Sequence, residues 1–310
     1  MDRLAGAPIS WGVCEVPGWG VELPPTRVLS EMRELGLAAT ELGSDGYLPT
    51  EPTALRALVA DEHELQMIGG FVPVVVHDPS QAAATVEATH RAAALMSGAG
   101  GTLFVSSAVT TWDWDAREPV SDDGWRHAAD MFSVIDEIVA GYGMVQALHP
   151  HLGTIVETDD DIRRVLDTSD VGWTLDMGHM MIGGTDPVAF IDEAFDRIRH
   201  VHLKDVDLAL AAPVFAGDQS IMQGVQAGMF TNLGLGDVPV AECIRALEAC
   251  GYDQWYVLEQ DAAITGPVPP VGSGPILDVR TSIEFLRTID ADLGAPHSGE
   301  GSQNGTEARL

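Results

Sequence analysis

Arg197-Ile-Arg-His-Val-His-Leu-Lys-Asp-Val206 alternates along its whole length. Successive side chains of an extended strand point to opposite faces. Ile198, His200, His202 and Lys204 therefore share one face, and Val201, Leu203 and Asp205 share the other. The apolar face suits packing on helices, while two imidazoles and an ammonium suit a site. Alone, the stretch would also fit a strand with one hydrogen-bonded core histidine and a solvated end. Two other short apolar runs match it, Trp173-Thr-Leu-Asp-Met-Gly-His179 and Trp255-Tyr-Val-Leu-Glu259, each ending on a residue able to bind a metal. Strand ends that each deliver one His or carboxylate are how a parallel barrel builds a metal site at its C-terminal face.

The same pattern repeats outward. Short apolar runs predict strands at 7–12, 38–43, 66–75, 101–106 and 144–151, one ending at Asp176, and two more at 197–206 and 255–259. Helical spacing or capping signals predict helices near 26–35, 53–63, 78–96, 122–142, 158–166, 186–197, 239–250 and 279–292. Gly36 and Gly251 stand where helices stop, and Thr158-Asp-Asp-Asp161 places acidic residues at the positive end of a helix dipole. Strands alternating with helices in this way predict the α/β class and a closed (β/α)8 TIM barrel in a single domain. No GxGxxG follows the first strand, so a dinucleotide fold lacks its phosphate loop. The barrel is expected over 1–293. Residues 294–310 are polar and rich in Gly and Ser, and read as a disordered C-terminal tail. The connection 207–236 is too long for a simple turn and reads as a lid-like loop, with an ordinary mobile insertion as the plain alternative.

Composition narrows the function. The 310 residues are 45% hydrophobic, enough for a sizeable core, and carry 16 Lys plus Arg against 47 Asp plus Glu, a net charge of −31. That sign opposes nucleic acid and anionic membrane as partners and argues against a DNA-repair metallo-nuclease. A solvated acidic surface accounts for most of it. Cys14, Cys243 and Cys250 are odd in number without CxxC spacing, which fits a reduced compartment. With no secretory h-region and no uncharged stretch of transmembrane length, the expected location is cytoplasmic.

The predicted strand ends hold metal-type ligands in chain order. The fifth gives His149 and His151 on one face, the sixth Asp176 with His179 three residues on, the seventh His202 and the eighth Glu259. A His/carboxylate set without thiolate suits Mn, Co, Zn, Fe or Mg rather than structural zinc. Each residue singly is as easily a hydrogen-bonded structural group; their succession on one barrel carries the signal.

Leu175-Asp-Met-Gly-His179, His200-Val-His-Leu-Lys-Asp205 and Glu259 resemble the xylose-isomerase-like TIM-barrel superfamily of sugar isomerases, epimerases and inosose dehydratases, over residues 7 to about 290. In that superfamily the metal is usually held by Glu, Asp, His and Glu. This chain departs at the first position, where His149-Pro-His-Leu-Gly-Thr154 has no Glu. Counting back from Glu157, the matching ligand falls on His151, although the choice between His149 and His151 stays open. Thr40-Glu-Leu-Gly-Ser-Asp-Gly-Tyr-Leu-Pro49, Ala7-Pro-Ile-Ser-Trp-Gly12 and the His149 segment look like the inosose dehydratase branch. The resemblance implies a divalent metal (Mn, Co, Mg or Zn) on His151, Asp176, His202 and Glu259, with Glu41, His149, His179 and Lys204 around the substrate.

The implied reaction is metal-dependent lyase chemistry on a keto-polyol, dehydration of an inosose (2-keto-myo-inositol). The metal would bind the carbonyl oxygen and stabilise the enediolate left when the neighbouring carbon loses its proton. Glu259, His179 and Glu157 are candidate bases, and Lys204 or a His is the acid for a departing β-hydroxyl. Trp11 and Trp112 would cover a sugar ring's apolar face, or simply pack in the core or rim. The same constellation supports a sugar isomerase or epimerase, and a catalytic subunit that needs a partner chain. The expected ligand is a small keto-polyol or sugar; a homo-oligomer is compatible with the reading.

Overall fold

The computed structural model describes residues 3–112, 117 and 119–294. The alternation around His202 is realised as a strand of a closed, all-parallel barrel. Its strands are β1 (Leu4–Gly6), β2 (Ala39–Glu41), β3 (Gln66–Val74), β4 (Leu103–Ala108), β5 (Val145–Leu148), β6 (Trp173–Asp176), β7 (Ile198–Leu203) and β10 (Tyr256–Leu258), in the order β1-β10-β7-β6-β5-β4-β3-β2. The predicted eighth strand is thus β10, because a small hairpin of β8 (Asp205–Val206) and β9 (Phe230–Thr231) lies outside the barrel. The helices are α1 (Pro25–Glu34), α2 (Pro52–Arg56), α3 (Ala82–Gly98), α4 (Asp122–Ala140), α5 (Asp159–Thr168), α6 (Met177–Ile182), α7 (Pro187–Ala194), α8 (Leu208–Phe215), α9 (Ile221–Gln226), α10 (Val240–Cys250) and α11 (Pro275–Gly294).

Strand faces divide as the alternation predicts. Val201, Leu203, Trp173, Leu175, Tyr256 and Leu258 join the main core between strands and helices. Ala5, Ala7, Ala39 and Val257 form one small cluster, and Leu103, Val105 and Ala147 another. By the pleat, Ala39, Ala147, Thr174, His200 and Val257 stand two residues before Glu41, His149, Asp176, His202 and Glu259. Each of the second five lies nearer the C-terminal mouth than its counterpart, and together they make the mouth layer. Register sets His202 level with Asp176 on one side and with Val257 on the other, so Glu259 stands at the outer edge of that layer.

Two expectations change, and a third segment holds more secondary structure than its composition suggests. Residues 8–11 are a 3₁₀ turn rather than the first strand; Pro8 has no N–H to give a ladder and Gly12 turns with φ 82°, so Leu4–Gly6 pairs instead. The helix expected over 53–63 winds as π from Ala57 to Glu62. The segment 207–236 is an ordered insertion. Asp207 caps α8, Ser220 and Gln223 form a capping box on α9, and Gln226 Nε2 donates to the carbonyls of Gly18 (3.0 Å) and Trp19 (2.8 Å). Asp205, on the outward face of the organising stretch, holds its root. Its Oδ1 accepts from Val206 N and Val238 N, and its Oδ2 from Gly234 N and Gly236 N, at 2.8–3.0 Å. The tail expected from 294 on lies, beyond Gly294 itself, outside the described residues. Cys14, Cys243 and Cys250 are free, and among the described residues no helix is long and apolar enough to cross a membrane.

Candidate functional site

The mouth layer gathers four ligand groups. His149, Asp176, His202 and Glu259, all buried, each offer one donor atom within 4.8 Å of the others. His149 Nε2 lies 3.2 Å from Asp176 Oδ2, and His202 Nδ1 lies 3.5 Å from the same oxygen and 2.6 Å from Glu259 Oε2. The last pair is close but misdirected: neither His202 Nδ1 nor Glu259 Oε2 has a hydrogen-bond partner among the described residues. Buried polar atoms that converge without bonding one another are aimed at a common third atom. Ligands about 2.1 Å from a metal and roughly 90–110° apart would themselves be separated by about 3.0–3.4 Å, close to this spacing. The donor set fits a divalent metal.

Local structure fixes each ligand. Asp176 ends β6 and caps α6: its Oδ1 accepts from His179 N at 2.8 Å, which leaves Oδ2 for the centre. His149 follows β5, its own N–H given to Ser106 O at 2.7 Å. His202 is gripped from behind. Its Nε2 donates to Glu41 Oε1 at 3.1 Å, and His200 Nε2 meets the same oxygen at 2.8 Å. Such a carboxylate–imidazole pair sets the tautomer and makes the far nitrogen a better ligand. Burial would raise Glu41, but His202 and His200 outweigh it and hold its carboxyl well below the usual range. Burial likewise works against charge on His202, and Glu259 and Glu41 overcome it, lifting that imidazole well above its ordinary value.

Lys204 is 1% exposed, with its Nζ 2.9 Å from Asp261 Oδ1, 3.1 Å from His179 Nε2, 3.2 Å from Glu259 Oε2 and 3.4 Å from Asp176 Oδ2. Burial alone would lower it, yet Asp176, Asp261 and Glu259 keep it firmly cationic. Its stem crosses Gly178 so closely that a Cβ there would come within 2.8 Å of Lys204 Cγ, which accounts for glycine in Asp-Met-Gly-His. Phe230, from the insertion, lies with its ring centroid 4.8 Å from the ammonium and stands edge-on to His179. His179 and His151 rings approach to 3.9 Å. Burial, then His151 and Lys204, hold His179 well below the usual imidazole range, so it is neutral.

The structure brings some of the expected residues together and sets others apart. His149, rather than His151, joins Asp176, His202 and Glu259; His151 lies with His179 and Asp261. Glu41 meets His200 and His202 rather than the four-residue set. Glu157 is ion-paired outside the four-residue set, its Oε2 accepting from Arg117 Nη1 and its Oε1 from Gly153 N, both at 2.8 Å. Trp11 is fully buried, its Nε1 donating to Glu31 Oε2 at 2.9 Å, so the core rather than a substrate holds it. Trp112 is 38% exposed and bonds Gln81 Oε1 at the rim. Asp261, Phe230 and the contact of His200 with Glu41 were not expected. Asp261 was within reach of the sequence, since it stands two residues past Glu259 on the same parity. A concavity of about 460 Å³ opens at the opposite end of the barrel, among Ile68, Leu103, Val145, Tyr252 and Trp255, away from the ligand atoms.

Comparison with known proteins agrees with the barrel fold. Residues 29–289 match the family model described as "Xylose isomerase-like TIM barrel". The chain is 32% identical to the rhizopine catabolism protein MocC of Rhizobium meliloti over 268 residues, 84% of this chain and 81% of that one. It is 30% identical to an inosose dehydratase of Geobacillus kaustophilus over 279 residues, covering 86% and 90% respectively. A crystal structure of the probable 3-DHS dehydratase AsbF from Bacillus anthracis superposes with TM-score 0.67 at 17% identity, over 92% of this chain and 98% of that one, a likeness of fold. The chain belongs to the xylose isomerase-like TIM barrel family.

Proposed function

We propose that this protein is a metal-dependent lyase that dehydrates an inosose, 2-keto-myo-inositol or a close keto-polyol. The observation that carries the reading is the convergence of His149 Nε2, Asp176 Oδ2, His202 Nδ1 and Glu259 Oε2 beside a buried Lys204–His179 pair. Relatives of about 30% identity that are named inosose dehydratase support the substrate class. Bound by those four residues, a divalent metal, manganese in the first instance, supplies a Lewis acid that polarises a carbonyl oxygen.

The remaining work falls to the chain. His179, neutral beside the mouth, accepts the proton from the carbon next to the ketone. Lys204, cationic and 3.1 Å from His179 Nε2, donates a proton to the departing β-hydroxyl, which leaves as water. The proton on His179 then passes to Lys204 along that contact. Both residues end as they began, and the substrate has lost one water. Asp261 and His151 line the same face and suit hydroxyl groups. Phe230 and the ordered insertion that carries it cover the ammonium, the part of a lid in this reading. A cytoplasmic place in inositol catabolism fits the free thiols.

Metal-loaded protein incubated with 2-keto-myo-inositol in deuterated water tests this. Growth of a near-ultraviolet band, as an enolisable dione forms, is the expected result. Label at the α-carbon without water loss would shift the assignment to an epimerase or isomerase. Neither product nor label from fully loaded protein would remove the enolisation chemistry.

A further inference from the structure

Beside the four-ligand centre stands a second set. His151, His179 and Asp261 each offer a ligand atom, all within 4.8 Å of one another. Two imidazoles and a carboxylate without thiolate make a set for a divalent cation. His151 Nδ1 donates to Leu152 O at 2.7 Å, which fixes the ring beside His179. Between the two sets lies Lys204 Nζ, bonded to Asp261 and His179 on one side at 2.9 and 3.1 Å, and facing Glu259 and Asp176 on the other at 3.2 and 3.4 Å.

Charge explains what it does there. Asp176, Glu259 and Asp261 place three buried carboxylates within 3.4 Å of the ammonium. One divalent ion and one ammonium match their three negative charges. Without the ammonium one negative charge would remain uncompensated. Burying uncompensated charge is costly, so a cation would be drawn to the gap. His179 Nε2 and Asp261 Oδ1 stand 3.1 and 2.9 Å from Nζ, so bonds of about 2.0–2.2 Å to a cation in its place require each to close by about 1 Å.

We propose that the Lys204 ammonium fills the second-cation position of a barrel mouth that has ligands for two, and so holds the native protein to one divalent ion. Removing it opens a second site on His151, His179 and Asp261. This inference rests on the four-ligand centre of the proposed function, and the test separates the two.

Native protein, Lys204→Met and Lys204→Met/Asp261→Asn are stripped with chelator, loaded with Mn²⁺ alone, dialysed and assayed for metal per chain by elemental mass spectrometry. One, two and one ions are expected, and Lys204→Met should show the spin-coupled paramagnetic resonance spectrum of a Mn pair. A single ion in folded Lys204→Met overturns the inference and leaves the first centre standing. No ion in the native protein overturns both, and two ions in the native protein overturn the role given to Lys204. Should Lys204→Met not fold, His151→Ala in the native background decides. It is expected to keep one ion at unchanged affinity, and loss of that ion overturns the division of the mouth into two sets.

Discussion

Replacing Glu41 with Gln separates a residue that tunes the metal centre from one that touches substrate. Glu41 is 3% exposed, and one of its oxygens serves both His202 Nε2 at 3.1 Å and His200 Nε2 at 2.8 Å. Gln keeps the shape and an acceptor oxygen, so the barrel loses only the charge-assisted part of two hydrogen bonds, about 1 kcal/mol. Leu would instead orphan two buried N–H groups at about 1–3 kcal/mol each, which makes Gln the cleaner probe. Without the carboxylate behind it, His202 Nδ1 is a poorer donor. Loss of such an outer partner costs about 10–100-fold in metal affinity, or about 1.4–2.7 kcal/mol. Titration of stripped protein with Mn²⁺ against a competing chelator reads this directly, with circular-dichroism melting as the check on folding. Affinity within twofold of native, together with a raised KM for the keto-polyol, would refute the reasoning and return Glu41 to the substrate.

Other consequences are equally open to measurement. His149→Ala should lose the bound ion while His151→Ala retains it; the reverse, by equilibrium dialysis, would restore the ligand set expected from the sequence. Asp205→Ala strands four backbone N–H groups at the root of the insertion and should cost more than about 2 kcal/mol. Urea denaturation and new proteolytic cuts within 207–236 would show it, and a change below about 0.5 kcal/mol would contradict it. Asp136 on α4 is raised by burial, against Arg199 and the Gln146 amide. A carboxyl raised in the folded state weakens stability above its folded pKa and not below its unfolded value near ~3.9. Asp136→Asn should thus raise Tm at pH 7 and lose that gain as the pH falls below about 4, and a gain independent of pH would exclude the linkage.

The barrel was legible because its signals are local. The period of two in Ile198–Leu203, the strand-end carboxylates Asp176 and Glu259, and the capping acids of α5 need only a few neighbours each to declare themselves. The insertion was less so. Its caps, Asp207 and Ser220, sit in a Gly- and Ala-rich run whose composition resembles a loop, and its anchor, Gln226 on the Gly18 and Trp19 carbonyls, spans most of the chain.

The sequence by itself determined which residue types stand at strand ends and which face of each strand they share. Alternation is set by backbone geometry and survives any partner. Tertiary structure alone decided which of those residues meet. His149 and His151 have the same parity, yet β5 stops at Leu148, and the chain then turns through Pro150 toward His179, so only His149 remains level with Asp176 and His202. Glu41 reaches His200 and His202 because β2 and β7 face one another across a closed barrel, a distance in space unrelated to the sequence separation of 161 between Glu41 and His202. Register between distant strands is fixed by closure and by packing of the shared core, and neither is written in any single stretch of chain.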